Sequence, residues 1–192
     1  MSKKEIETFY PINRKEWRLW LKNNHSSSTS IWVIFYKKNT LFPTISWSEA
    51  VDEALCFGWI DSIKKSIDNE KYIQFFSQRK PQSTWSKINK DKVDSLIRQK
   101  LMTPTGINSI EIAKQNGSWA ILDNVEKLMI PKDLEKAFKS KPNSKEYFLG
   151  LSKSKRKEIL SWIVLAKRTE TREKRIKEIA KLGIENLKTK TI

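Results

Sequence analysis

Between Arg14 and Asn24, Trp17, Trp20 and Leu21 recur at the spacing of one helical face. Asn13 precedes them as a cap, and Asn23 and Asn24 follow as a stop, so the pattern predicts a short amphipathic helix. Residues 31 to 38, IWVIFYKK, are β-branched and aromatic with polar residues only at the end, which reads as a mostly buried strand. Ser48 then heads EAVDEALCFGW, where Ala50, Val51, Ala54, Leu55 and Phe57 line one side of a helix that Gly58 closes. From Ile60 to Ser77 the period changes to two. Ile63, Lys65 and Ile67 alternate with polar neighbours, Asp68, Asn69 and Glu70 supply turn residues, and Tyr72 to Phe76 continue as a second strand, which predicts a hairpin. Ser83 or Thr84 caps a long helix carrying Trp85, Ile88, Val93, Leu96 and Ile97 on one stripe. Thr103 to Gly106 break it, and INSIEIAKQNG forms a further helix ending at Asn116 and Gly117.

Helix, strand, helix, hairpin, helix is an α+β layout, a small antiparallel sheet flanked by helices, here over residues 1–117. Residues 118–131 read as a linker or wrapping arm, and 132–192 as a helical C-terminal module of four helices or helical turns. In that module Ile159, Leu160, Trp162, Ile163 and Ala166 give one helix its apolar face, and Ile176, Ile179, Ala180 and Leu182 give the next. Gly183 is expected to end the last helix, leaving NLKTKTI frayed.

Composition narrows the function classes. The chain has 192 residues, enough for one generous core or two small ones, and its net charge of +16 raises nucleic acid or an acidic partner. Most of that charge is lysine, a hydrated point charge, whereas planar readout favours arginine, so solubility or coding bias explains it more simply. A single cysteine, Cys56, fits a reducing compartment. The N-terminus lacks an apolar signal core, and no apolar run is long enough to span a bilayer, so the expectation is a cytoplasmic, soluble protein.

Candidate chemistry concentrates between Trp47 and Asn89. His25 is the only histidine, which excludes a Cys/His metal site and a two-histidine facial triad, and no metal site or cofactor is expected. Its place after the opening helix suggests capping or solvent exposure. Cys56 lies in an apolar helix face and reads as an inert, buried thiol. Glu49 and Glu53 share a helix face, either as an acid/base pair or, the preferred reading, as a solvated acidic face paired with lysines. Asp61 follows Trp59 at a helix-to-strand junction, as a turn former or as the floor of a pocket. Arg79 and Lys80, with Ser83 and Trp85 just beyond, place cations beside a helix start where a phosphate or carboxylate docks readily. The competing reading pairs Arg79 with Asp61 and leaves Ser83 as the helix cap, with no ligand. Five scattered glycines form no phosphate-cradling loop. The last two helices resemble a helix-turn-helix in spacing, with Arg168, Arg172, Lys174, Arg175 and Lys177 as groove cations, although Glu170, Glu173 and Glu178 would face the same phosphates.

Several of these segments also carry a family resemblance. The order Trp17, Trp20, Leu21, His25, then IWVIFYKK, EALCFGWIDS, FFSQRKPQSTWSKIN and finally AKRTETREKRI resembles the YdeI/OmpD-associated, or bacteriocin-protection, family over nearly the whole chain. That resemblance implies a stress or antimicrobial-resistance role and a link to an outer-membrane porin. The element order of the N-terminal part also resembles the YjbR/frataxin-like arrangement of helices about a β-meander. The leading expectation is a non-enzymatic binding or stress-protection protein whose aromatic pocket around Trp59, Asp61, Arg79 and Trp85 takes a small anion or a peptide. The alternatives are nucleic-acid binding through the C-terminal helices and an enzyme using Asp61 or Glu49 with Arg79.

Overall fold

The computed structural model describes residues 7–141 and 143–188, with side chains through Lys181 in the final helix. The expectations for the extreme N-terminus, for the Leu182 side chain and for the final residues lie outside that range. The chain divides into two compact units, Met1–Trp119 and Ala120–Ile192.

The first unit is α+β. A four-stranded sheet runs in the order β1 (Thr8–Phe9), β2 (Ser30–Tyr36), β4 (Lys71–Gln78), β3 (Trp59–Ser66). β1 runs parallel to β2, and the other neighbours are antiparallel. The predicted hairpin is β3 and β4, with Asp68 accepting from the backbone N–H groups of Glu70 and Lys71 in the turn. β1 went unread because two residues carry no period. A register irregularity between Asp61 and Lys64 bends β3 at the outer edge.

Helix α1 (Arg14–Asn24) starts where expected, because the Asn13 side chain accepts from the Glu16 N–H, and it buries Trp17 and Leu21. Helix α2 (Trp47–Cys56) begins earlier than predicted. Its cap is Ser46, locked to Glu49 in a reciprocal capping box that holds the Glu49 carboxyl below the usual range. Helix α3 (Lys87–Arg98) begins later, capped by Ser86, so neither Ser83 nor Thr84 is the cap and Trp85 stands outside the helix. The segment Thr103 to Gly106, read as a break, is instead the cap and first turn of α4 (Pro104–Gln115), with proline at its start where a missing N–H costs nothing.

The strand IWVIFYKK is not buried throughout. Ile31, Val33 and Phe35 face the helices and are buried, while Trp32, Ile34 and Tyr36 face away and are half-exposed. One sheet face and the helices enclose a core in which Trp17, Trp20 and Trp59 pack with Phe9 and Phe76. Two of the buried indoles have their N–H groups satisfied: Trp17 donates to the Ala50 carbonyl at 3.0 Å and Trp59 to the His25 carbonyl at 3.2 Å, whereas the Trp85 N–H has no partner among the described residues.

Glu53 departs from the expected solvated face. It is 2% exposed and clamped between Arg14 and Arg18, each at 2.5 Å, while Arg18 also donates to the Leu101 carbonyl. Helix α4 is drawn equally close to α2, since Thr103 donates through both N–H and hydroxyl to the Cys56 carbonyl. At Gly106 a Cβ would sit 2.2 Å from that same carbonyl oxygen, so only glycine permits the approach.

The second unit is helical: α5 (Asp123–Glu126), α6 (Lys132–Lys139), α7 (Ser144–Gly150), α8 (Lys153–Val164) and α9 (Thr169–Lys188). Its core is built on Leu134, Phe138, Phe148, Leu160 and Ile163. Much of the stretch read as a linker is folded into this unit, for α5 contributes the buried Val125, and Leu122, Leu128 and Ile130 pack beside it. Helix α9 runs through Gly183 instead of stopping there, since one glycine costs a helix only about 1 kcal/mol. Among the described residues no helix is long and apolar enough to cross a membrane.

Candidate functional site

Where β4 ends, the backbone of Arg79 donates to the Gly58 carbonyl at 2.9 Å, tying the end of β4 to the α2–β3 junction. Gly58 has φ of +72°, which turns the chain sharply, and a Cβ there would press on the Thr105 carbonyl at 3.3 Å and on Ser109. Between this junction, the end of α1 and the first turns of α4 lies a cavity of about 230 Å³. Phe57 and Trp59 give it aromatic walls, Arg79 and Lys80 its cations, and Thr105, Asn108 and Ser109 from α4 its polar side.

The guanidinium of Arg79 is the unusual group. It lies 3.6 Å above the Trp85 ring, and its Nη2 donates to the Thr84 carbonyl at 2.5 Å. Nε and Nη1 are shielded from solvent and have no hydrogen-bond partner. Burial pushes its pKa down to about 10, against the through-space pull of Asp61. The expected Arg79–Asp61 ion pair is not formed. Asp61 instead accepts from Trp47 Nε1 at 2.9 Å and Gln74 Nε2 at 3.1 Å, because its strand position turns it under the first turn of α2.

Of the residues singled out in the sequence, Trp59, Arg79 and Lys80 therefore meet at the cavity. Trp85 stands behind Arg79, 1% exposed and packed on Trp119, so it supports the site without lining it. Ser83 belongs to a turn, its N–H donating to the Lys80 carbonyl, and takes no part. Lys80 is exposed and makes no ion pair among the described residues.

Sequence reasoning missed the α4 residues; His25 caps the end of α1 as expected, but its ring turns toward the cavity instead of solvent. The His25 Nδ1 lies 2.9 Å from the Leu21 carbonyl, which can only accept, so Nδ1 carries a proton, and Nε2 pairs with the Thr105 hydroxyl at 3.2 Å. The imidazole closes the α1 end of the cavity. No sequence signal marked Thr105, Asn108 or Ser109, since a helix paired across so many residues leaves no local pattern. Among the described residues, no group of three or more His, Cys, Asp or Glu is placed to hold a metal ion.

Cys56 is fully buried, and burial together with the nearby Glu53 charge pushes its pKa up to about 11. In the folded protein at pH 8 its reaction with an aromatic disulfide reagent is therefore expected to be at least about 100-fold slower than in denaturant. Comparable rates in the two conditions would show an accessible thiolate.

Two of the C-terminal cations, Arg172 and Arg175, are occupied. Arg172 grips Asp133 of α6 through Nε at 2.6 Å and Nη2 at 3.0 Å and donates also to the Ile163 carbonyl. Arg175 lies over the Trp162 ring and donates to the Trp162 carbonyl. Lys174 and Lys177 share an exposed groove of α9 with Glu170, Glu173 and Glu178, and Arg168 is exposed just before that helix. Two of the five candidate groove cations thus hold α9 against α6 and α8.

Fold and site together define a two-unit protein: an α+β unit with a small cation-bearing cavity, and a helical unit. The chain belongs to the family described as Domain of unknown function (DUF8412), whose model matches residues 9–109. Residues 127–182 match the model described as Bacteriocin-protection, YdeI or OmpD-Associated. The resemblance read over nearly the whole chain is therefore met in its C-terminal part, and the frataxin-like arrangement finds no support beside the DUF8412 match. No curated protein and no solved structure matches the chain.

Proposed function

We propose that this is a non-enzymatic binding protein with a protection-related role, holding a small anion or the carboxylate of a peptide in the cavity against Arg79. The observation that carries the reading is a largely desolvated guanidinium with two nitrogens that have no partner, and no carboxylate in contact, among the described residues. A buried cation without a counter-ion costs several kcal/mol, and an anion seated beside it would offset that cost while gaining charge-assisted hydrogen bonds. Lys80 at the rim adds attraction, and Phe57 and Trp59 exclude water around the contact. The volume of about 230 Å³ suits a group the size of phosphate or carboxylate better than a drug-sized molecule, whose pockets run from roughly 300 Å³ upward. The match of residues 127–182 to a bacteriocin-protection description supports the protection side of the role. The single buried cysteine fits a cytoplasmic setting.

The test is thermal unfolding in phosphate, sulfate, acetate and citrate at matched ionic strength. The favoured anion is expected to stabilise the parent by about 2.7 kcal/mol at one hundred times its dissociation constant. Arg79→Met should fold at least as well, because it removes an uncompensated charge, and should lose the anion response. A parent indifferent to every anion, or an Arg79→Met variant that responds like the parent, ends this reading.

A further inference from the structure

The sheet has a second face that neither core uses. Trp32, Ile34 and Tyr36 of β2 and Ile73 and Phe75 of β4 point away from α1 and α2, and all are half-exposed and absent from both packed clusters. These are the two central strands, and their register sets Trp32 directly opposite Phe75, with ring centroids 5.0 Å apart. Four residues further along, about 13 Å at the usual strand rise, Tyr36 closes the row. Aromatic side chains on the two central strands of a four-stranded sheet are a stacking platform for unpaired bases, since every base offers a flat π surface.

The polar groups on the same face decide what occupies it. Lys65 reaches across to hold its ammonium 4.9 Å from the Trp32 ring, and Lys71 stands directly opposite Tyr36 with its ammonium 3.7 Å from Asp68 of the hairpin turn. Ser30 and Ser77 face each other at the far end, offering hydroxyl donors. Asp61 is the only carboxylate in the four strands, and it lies on the helix side in contact with Gln74. An apolar protein partner would call for a dry, uncharged face. Aromatic rings interleaved with lysines and hydroxyls, on a chain of net charge +16, complement stacked bases joined by phosphates.

We propose that this sheet face binds single-stranded nucleic acid, with bases stacked on Trp32 and Phe75 and phosphate met by Lys65. The site shares no residue with the Arg79 cavity or with the cations of the C-terminal helices, so it stands or falls independently of the reading above.

The experiment is a fluorescence-anisotropy titration of the full chain with labelled oligouridylate, oligodeoxythymidylate and a duplex of equal length. Both single strands are expected to bind at about 50 mM salt, with log affinity falling by about 0.7 per phosphate contact for each tenfold rise in salt. The duplex should bind more weakly. Trp32→Leu and Phe75→Leu should each weaken binding roughly 5- to 150-fold, the loss of one stacked base. Lys65→Glu touches no core residue and serves as the second variant should either aromatic change disturb folding; it should weaken binding and flatten the salt dependence. Lys174→Glu with Lys177→Glu should change nothing. No binding at low salt would overturn the proposal, as would equal affinity for the duplex, loss of binding through the α9 pair instead of the sheet variants, or a chain dimer that the oligonucleotide does not dissociate.

Discussion

Trp85→Ala is expected to destabilise the first unit by about 3–5 kcal/mol, among the largest effects of any single truncation here. The indole is 1% exposed, with Trp119 at 4.9 Å on one side and the Arg79 guanidinium 3.6 Å from its ring on the other. Its N–H has no partner, so no hydrogen bond is lost, and the whole cost is packing and the cavity left behind. Arg79 would lose the surface on which it lies, so the anion response should weaken along with stability. Urea denaturation reads this as a lowered midpoint at unchanged slope, and Trp85→Phe should recover most of it. A loss below about 1 kcal/mol would mean that the site collapses around the missing ring and that Trp85 supports nothing.

The second large effect concerns Glu53. Replacing Arg14 and Arg18 together by alanine leaves a carboxylate at 2% exposure with no counter-charge, at a cost of about 3–5 kcal/mol. Either single replacement should cost far less, because the remaining guanidinium still reaches an oxygen. Glu53→Gln should also be milder, since Arg14 and Arg18 are each about one-third exposed, at 36% and 34%, and can turn to water. The non-additivity is the diagnostic, measured as a double-mutant cycle in thermal or urea unfolding. Additive small losses would show that Glu53 tolerates burial by itself and that α1 and α2 are joined by apolar packing alone.

How far the chain could be read follows from which interactions are local. Asn13 with Glu16, the hairpin turn at Asp68 and the α1 stripe of Trp17 and Leu21 are set by neighbours within a few residues, and their elements form where the sequence places them. Caps were misplaced when several hydroxyls competed. Ser46 prevails over Ser48 because Glu49 stands three residues on to reciprocate, and Ser86 prevails over Ser83 because Trp85 is drawn into the core first. Thr103 to Gly106 looked like a break, yet Pro104 is well suited to begin a helix whose cap reaches the Cys56 carbonyl. Long-range pairings had no local signature. Glu53 looked solvated because the arginines that clamp it lie more than thirty residues away. The candidate site was half legible: Trp59, Arg79 and Lys80 are adjacent to a distinctive aromatic segment, whereas the α4 wall and His25 join only through the tertiary fold.

The two borders of the sheet bear on what happens at high concentration. An open border displays unpaired N–H and C=O groups and invites a strand from another molecule. Here one border is β1, only two residues long, and the other is β3, kinked between Asp61 and Lys64 and carrying Lys64 and Lys65. A flat, uncharged strand is what a growing ribbon would need as a template, and neither side supplies it. The chain can therefore keep a broad aromatic surface in water without polymerising through its strands.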